Sequence, residues 1–322
     1  MTATGARSPA ADDELVKRFR AELERLWPEG GRLGLAVSGG PDSLAMLLLA
    51  EAAIPGRFEV ATVDHGLRPE SAAECAMVAR ICVERDVPCE ILRVQVAAGN
   101  VQAEARAARY SALAEWASER GISAIATAHH ADDQAETLMM RLNRGSGVSG
   151  LAGVRERTEI PPFLVSIIRP LLTFRRPELA EVVEASGLTA VQDPSNADER
   201  FDRARVRKAL AESDWLDPLA LAASAGHLAM ADEALDWAAA REWNERVVGS
   251  DEGFRYRRLA PKAVAMRVVA RIVADFGGRA RGQDLARLVD RLEAGERGNV
   301  GGVLTTVEGS EWVFRREPPR RI

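Results

Sequence analysis

Five short, predominantly apolar runs recur through the first 170 residues, at 33–37, 58–63, 89–94, 122–128 and 163–168. Between them lie stretches with helical spacing near 43–53, 69–87, 101–120 and 132–143. Short apolar runs suit strands buried on both faces, and the longer intervals suit helices that cover them. The alternation predicts an α/β fold: a doubly wound, mostly parallel five-stranded sheet. A further helix is expected over 175–187, closed by Gly187. From about residue 214 the pattern turns helical, over 215–243, 260–276 and 282–294. The stretch 301–316 reads as two short strands around a Glu308-Gly309 turn. Two domains are therefore expected, 1–212 and a smaller, mainly helical 213–322 that ends in a short strand pair.

Ligands of such sheets sit outside the carboxyl ends of the strands. Ser38, Asp64 and the 127–130 segment all follow expected strands. Ser38-Gly39-Gly40-Pro41-Asp42-Ser43 joins an apolar run to a Leu/Ala run. A strand, a glycine turn and a helix start in that order aim backbone N–H groups and a helix dipole at one spot, which suits a phosphate. Gly39 and Gly40 permit close backbone approach, and Pro41 suits the first helical position. Asp42 would repel a phosphate on its own, so it implies a bridging Mg²⁺. Without a GKS or GKT triplet the loop is not a Walker A motif. Alone, the segment also reads as a glycine-rich turn with a capping serine.

Four other segments carry candidate chemistry. Asp64 ends a strand and Gly66 allows a sharp turn, so His65 and Arg68 could reach a phosphate or a base; a loop with a capping Asp is the plainer reading. Arg106, Arg109 and Tyr110 share one helix face after Asn100, an arrangement fit for an anion or for a solvated surface. His129, Asp133, Glu136 and Thr137 fall on one side of the next helix. Such a group can hold Mg²⁺ through oxygen and supply a base; a zinc site or a capped acidic first turn would look similar. Last, Arg200, Arg203, Arg205, Arg207 and Lys208 are opposed only by Asp202, which suggests phosphate-backbone contact or a solvated helix face.

Composition narrows the class. Hydrophobic residues make up 47% of the 322 and charged residues 28%, as in ordinary soluble proteins. No apolar run has transmembrane length and the N-terminus lacks a signal-peptide core, so no membrane partner and a cytoplasmic location are expected. Net charge is −5, but unevenly placed: residues 211–252 hold two cations against ten acids, and 253–322 hold fifteen against eight. The basic end is a candidate RNA footprint, with Arg257 and Arg258 as test positions. Cys75, Cys82 and Cys89 form no CxxC, fit no zinc spacing, and are expected to be buried.

Taken in order, SGGPDS at 38–43, DHGLR at 64–68, ARAARY at 105–110, HHADDQAET at 129–137, RGSG at 144–147, RPLL at 169–172 and DPSN at 193–196 resemble the motifs of one family. It is the tRNA(Ile)-lysidine synthases, ATP pyrophosphatases of the PP-loop type with an adenine nucleotide alpha hydrolase-like fold. The pattern GG…WVFRRE at 301–317 resembles that family's small C-terminal module. The resemblance implies adenylation of the wobble cytidine of a CAU-anticodon tRNA(Ile) by ATP with Mg²⁺, then attack by free L-lysine. It also implies a catalytic 1–212, a tRNA-binding 213–322, and admits a homodimer.

Site roles follow the same resemblance. Ser38, Gly39, Gly40, Pro41, Asp42, Ser43 and Asp64 would bind the nucleotide, with Asp42 and Asp133 on the metal. Asp133 would be base or metal ligand, with His129 or His130 as alternates. Glu136 would orient one of them or meet the lysine amine. Arg106 and Arg109 would face a phosphate or the lysine carboxylate, and Arg203, Arg205 and Arg207 would contact tRNA. Ala204 stands where the family often has Asn, and one C-terminal module stands where longer members carry two. A tRNA thiolase, an amide-forming synthetase and a silent RNA-binding paralogue are the rival readings; the first is opposed by the missing cysteine pairs, and the last by intact Asp42, Ser43, Asp133 and Glu136.

Overall fold

The structure, a computed structural model, describes residues 13–66, 70–94, 101–191, 200 and 202–317, the side chains of 101–103 excepted. Leu67, Arg68, Asn100 and the 193–196 segment lie outside the described residues. Two compact units emerge: one combines Met1–Ser146 with Gly150–Gly226, the other Gly147–Ser149 with His227–Ile322.

The elements of the first unit run α1 (Asp13–Leu26), β1 (Leu33–Ala36), α2 (Pro41–Ala53), β2 (Phe58–Asp64), α3 (Ser71–Glu84), β3 (Cys89–Arg93), α4 (Val101–Glu119) and β4 (Ala124–Ala126). They continue with α5 (Ala131–Asn143), a single turn α6 (Val148–Leu151), β5 (Arg157–Glu159), β6 (Ser166–Ile168), α7 (Arg176–Ser186) and α8 (Asp202–Glu212). The sheet has six strands in the order β3-β2-β1-β4-β6-β5. All neighbours are parallel except β5, which pairs antiparallel with β6 at the edge. The five expected strands are all present, and β5 is the addition. Its three residues, Arg-Thr-Glu, are all exposed and carry no apolar signal.

Period-two alternation splits the strands between two helical layers. Leu33, Leu35, Phe58, Val60, Ala124, Ala126 and Ile168 face the core shared with α1, α2, α3 and α7. Ala61, Ile125 and Ile167 face the opposite core, with Leu113, Ala114, Trp116 and Ala117 of α4. Gly34 lies on that second face, where a Cβ would come within 2.8 Å of the Trp116 ring. Helix α2 is buried nearly all round, as expected for a helix enclosed by sheet and neighbouring helices. Strand order reverses between β1 and β4, and that crevice is where ligands of such sheets bind.

Helix α9 (Pro218–Arg246) spans the division between the units. The second unit then holds β7 (Val247–Ser250), β8 (Gly253–Tyr256), α10 (Lys262–Asp275), α11 (Gly282–Glu293), β9 (Gly298–Val300), β10 (Val303–Glu308) and β11 (Glu311–Arg316). The expected strand pair is here the centre of a five-stranded antiparallel sheet, β7-β8-β11-β10-β9. Helix still predominates in this unit, as expected, and the sheet is larger than the expected strand pair. Gly253 makes the sheet possible: at φ +136° it lets β8 approach β11 so closely that a Cβ would strike the Phe314 carbonyl. Leu285, Leu288, Val289 and Leu292 of α11 recur at helical spacing and pack with Val268, Val269 and Ile272 of α10 against Val303, Trp312 and Phe314. Among the described residues no helix is long and apolar enough to cross a membrane.

Candidate active site

A cavity of about 550 Å³ opens over the carboxyl ends of β1, β2 and β4, lined by the 38–43 loop and by side chains of α3, α4, α5, α7 and α8. Its floor is the glycine loop. Gly39 takes φ +86°, and its carbonyl accepts from Val191 N–H at 2.9 Å. A Cβ there would meet Met77 at 3.0 Å, so a side chain fits neither the dihedral nor the space. Pro41 starts α2. Ser43 Oγ donates to the Gly40 carbonyl at 2.9 Å and accepts from Ser38 N–H at 3.2 Å. The turn is thus braced from inside, with the N-terminus of α2 directed at the cavity.

Asp42 lines that cavity, and its Oδ1 is buried without a hydrogen-bond partner. An orphaned carboxylate oxygen at a phosphate-type loop fits a hard cation, because Mg²⁺ is commonly held by one or two carboxylates plus substrate phosphates. Asp133 could be a second ligand: Asp42 and Asp133 both approach His130 Nε2, at 3.5 and 3.6 Å. Among the described residues no group of three His, Cys, Asp or Glu has a metal-holding arrangement, so the zinc alternative gains nothing.

The two histidines have opposite fates. His130 caps α5 and is fully buried, with Asp42, Asp132 and Asp133 at 3.5–3.6 Å. Burial opposes its charge, but the carboxylates of Asp132 and Asp42 prevail and push the imidazole up to about 9. His129 precedes the helix and lines the cavity, with Nδ1 3.1 Å from Thr127 Oγ1. Burial, reinforced by Arg169, Arg106, Arg109 and Arg203, drives it down to about 3. Near neutrality that ring stays uncharged and takes up a second proton reluctantly, which makes His129 a poor base. His130 is a cation between carboxylates in this state, and not a free base either.

Asp133 accepts from Arg203 Nη2 at 2.7 Å and from His130 N–H at 3.1 Å. Glu136 is 1% exposed and sits behind the cavity wall. It accepts from Arg176 Nη2 at 2.8 Å, Arg203 Nε at 2.7 Å and Arg207 Nε at 2.8 Å. Burial alone would raise its pKa; the hydrogen bonds from Arg207, Arg176 and Arg203 instead hold it at about 2. All three arginines line the cavity, so Glu136 ties down a cationic wall from the rear.

The expected site residues largely meet here, with some differences. Ser38, Gly40, Pro41, Asp42, Ser43, Arg109, His129, Asp133, Arg203 and Arg207 line the cavity. Arg203 and Arg207 are not splayed on a solvated surface, because α8 packs on α5 and points them at Glu136. Arg205 turns away, exposed and paired with Asp202. Arg106 is exposed and stacks on Tyr110. Asp64 closes its own turn, accepting from Gly66 N–H at 3.0 Å, and the Ser71 hydroxyl and that N–H lower its pKa. Cys75 and Cys82 are buried and Cys89 is half-buried.

Sequence reasoning passed over Asp132 and Arg176. Asp132 accepts from the Arg175 guanidinium at 3.2 Å and from Arg176 N–H at 2.8 Å, pinning the start of α7 to the start of α5. Its signal was available in the acidic pair opening α5. Arg176 begins a helix with Pro177 in the first turn, yet only the fold brings it to Glu136.

A PP-loop domain profile matches residues 13–213. Over 311 residues the chain is 49% identical to a tRNA(Ile)-lysidine synthase of Novosphingobium aromaticivorans, covering 95% of each protein. A second enzyme of that name, from Zymomonas mobilis, is 41% identical over 301 residues, with 91% of each covered.

The chain belongs to the tRNA(Ile)-lysidine synthase family.

Among solved structures, the U34-tRNA thiolase NcsA of Methanococcus maripaludis, described with its [4Fe-4S] cluster, aligns with a TM-score of 0.56 at 18% identity. The match covers 67% of this chain and 80% of that one and concerns the fold. The lysidine synthase family and its PP-loop domain establish ATP as the nucleotide the fold is built to use.

Proposed function

We propose that the chain converts the wobble cytidine of a CAU-anticodon tRNA(Ile) to lysidine at the cavity over β1, β2 and β4. The observation that carries this reading is the orphaned Asp42 oxygen, set in a glycine loop and faced by Arg176, Arg203 and Arg207. A cavity of about 550 Å³ accommodates a nucleotide. In the first step the cytidine C2 oxygen bonds to the ATP α-phosphorus as the bond to pyrophosphate breaks. In the second, the lysine ε-amine bonds to C2, AMP leaves with the oxygen, and the amine gives up a proton.

The residues divide this work. Loop N–H groups at Ser38–Ser43 and the α2 terminus hold the departing pyrophosphate, where charge accumulates. Asp42 and Asp133 would hold Mg²⁺, whose chemistry is to stabilise that same charge. Arg176, Arg203 and Arg207 present a fixed cationic wall to the nucleotide or the RNA phosphates. Lysine's amine has an unperturbed pKa near 10.4, so a carboxylate must accept its proton. Asp133, at the cavity surface, is the candidate for that role as the alternative to metal ligation. A reaction on these substrates belongs in the cytoplasm.

The test is transfer of radiolabelled lysine to a CAU-anticodon tRNA(Ile) transcript with ATP and Mg²⁺. Label is expected with the intact cytidine and absent when that cytidine is replaced. AMP without label would keep the adenylating loop and redirect the search for the nucleophile.

The second unit is the proposed tRNA-body reader. Arg258 is a poor probe of that role, because it pairs with Glu293 and stacks on Trp312. Arg257, Arg279 and Arg281 are exposed and have no carboxylate partner among the described residues. Changing all three to Glu is expected to weaken tRNA binding at least tenfold and reduce its salt dependence. Unchanged binding at low salt would remove this unit from tRNA recognition.

A further inference from the structure

Three guanidiniums surround one phenol ring beside His129. Arg106 and Arg109, one helical turn apart on α4, lie 5.0 and 5.2 Å from the Tyr110 ring centroid. Arg106 Nη2 also donates to the Tyr110 hydroxyl at 3.3 Å. The third, Arg169, is 5% exposed; it donates to the Arg155 carbonyl and to Thr158 Oγ1, and its Nε is buried without a partner. Neither Arg106 nor Arg109 has a carboxylate partner among the described residues.

Like charges this close separate unless something holds them. Elsewhere around the cavity the arginines are held by acids, as Glu136 holds three of them. Among the described residues the counterpart at Tyr110 is the negative face of an aromatic ring and its hydroxyl, which attract cations without neutralising them. The cluster therefore keeps its full charge. That charge reaches its surroundings: Arg106, Arg109 and Arg169 lower the Tyr110 hydroxyl against the effect of burial, and the same three help keep His129 neutral.

We propose that Tyr110 is a positioning residue, whose ring holds Arg106 and Arg109 side by side to grip a phosphodiester of the tRNA next to the reacting nucleotide. This rests on the proposed lysidine-forming activity and specifies the polymer contact of that site. The pair runs from the cavity wall, which Arg109 lines, to the open surface, where Arg106 is exposed. A ligand that touches both must extend out of the cavity, as an RNA backbone does and a free amino acid does not. Tyr110 itself packs against the core that includes Leu113 and Trp116, so Leu keeps an apolar contact there while removing the ring and its hydroxyl, and Phe removes the hydroxyl alone.

Tyr110→Leu is expected to raise the KM for tRNA about tenfold, with kcat and the KM values for ATP and lysine within about twofold of the parent. Equilibrium tRNA binding should lose about one unit of its log–log salt slope, the share of roughly one phosphate contact. Tyr110→Phe keeps the ring and should recover most of the affinity. Adding Arg106→Gln to Tyr110→Leu should cost little more, since both act on one contact. An unchanged tRNA KM and salt slope in Tyr110→Leu overturns the proposal. So does a raised KM for lysine with unchanged tRNA binding, which would assign the pair to the amino-acid carboxylate. Should Tyr110→Leu not fold, Arg106→Gln at its exposed position decides: a reduced salt slope supports the grip and an unchanged slope ends it. If the parent enzyme transfers no lysine, the proposed function falls, while the salt slopes, read without turnover, still judge Tyr110.

Discussion

Asp42→Asn is expected to lower lysine transfer about a thousandfold, on the order of 4 kcal/mol of transition-state stabilisation. The replacement is isosteric, so the loop keeps its shape: the bracing bonds run through Ser38, Gly40 and Ser43 and not through Asp42. Asp42 Oδ1 has no donor to lose, and the contact weakened is that of Oδ2 with His130 Nε2 at 3.5 Å, where Asp132 and Asp133 remain, so the expected effect on folding is modest. What disappears is one negative oxygen where pyrophosphate and Mg²⁺ would meet. AMP formation should therefore fall as steeply as lysine transfer, and raising Mg²⁺ should recover part of both. An enzyme that still makes AMP at the parent rate but no lysidine would place Asp42 in the second step and contradict its role at the departing pyrophosphate.

Glu136→Gln is expected to destabilise the first unit by about 3 kcal/mol. The figure comes from the displacement of its pKa from the ordinary 4.5 to about 2, converted at about 1.36 kcal/mol per unit. It agrees with the cost of breaking one side of a buried ion pair, about 3–5 kcal/mol. Gln can accept from one or two of the guanidiniums but removes the buried charge that Arg176, Arg203 and Arg207 share, although Arg203 keeps its contact with Asp133. For a unit of this size the melting temperature should drop by about 10 °C. The sign with pH follows from the lowered pKa. The carboxylate's contribution is fully present above about pH 4.5 and is lost as the pH falls towards 2. The gap in melting temperature between parent and variant should thus be constant from pH 8 to 5 and close below about pH 4. A gap still fully open at pH 3 would mean that packing, and not charge, sets the cost.

The parallel sheet was legible because buried parallel strands need apolar residues on both faces, and Gly34–Val37, Phe58–Val63 and Ile122–Ala128 supply them. The site was legible where chemistry is local: Ser38 to Ser43 carry their own turn, helix start and carboxylate. Short polar or glycine-containing strands were not legible. β5 is Arg-Thr-Glu, and β7 and β8 are four residues each, formed only because β11 is there to pair with β8. Nor could spacing along the chain separate Arg203 from Arg205, although one turns into the cavity and the other away from it.

By itself the sequence determined the alternation of five apolar strands with helices, the phosphate-type loop and the family, since each depends on residues adjacent in the chain. Tertiary structure decided protonation and charge. His129 and His130 are buried neighbours with the same intrinsic pKa, yet burial lowers one with guanidiniums adding to it, while carboxylates overcome burial at the other, so they end near 3 and 9. Glu136 becomes a buried anchor only because α7 and α8 deliver three arginines to it from 40 to 71 residues away. Electrostatic environment is a sum over space, and the chain's order does not contain it.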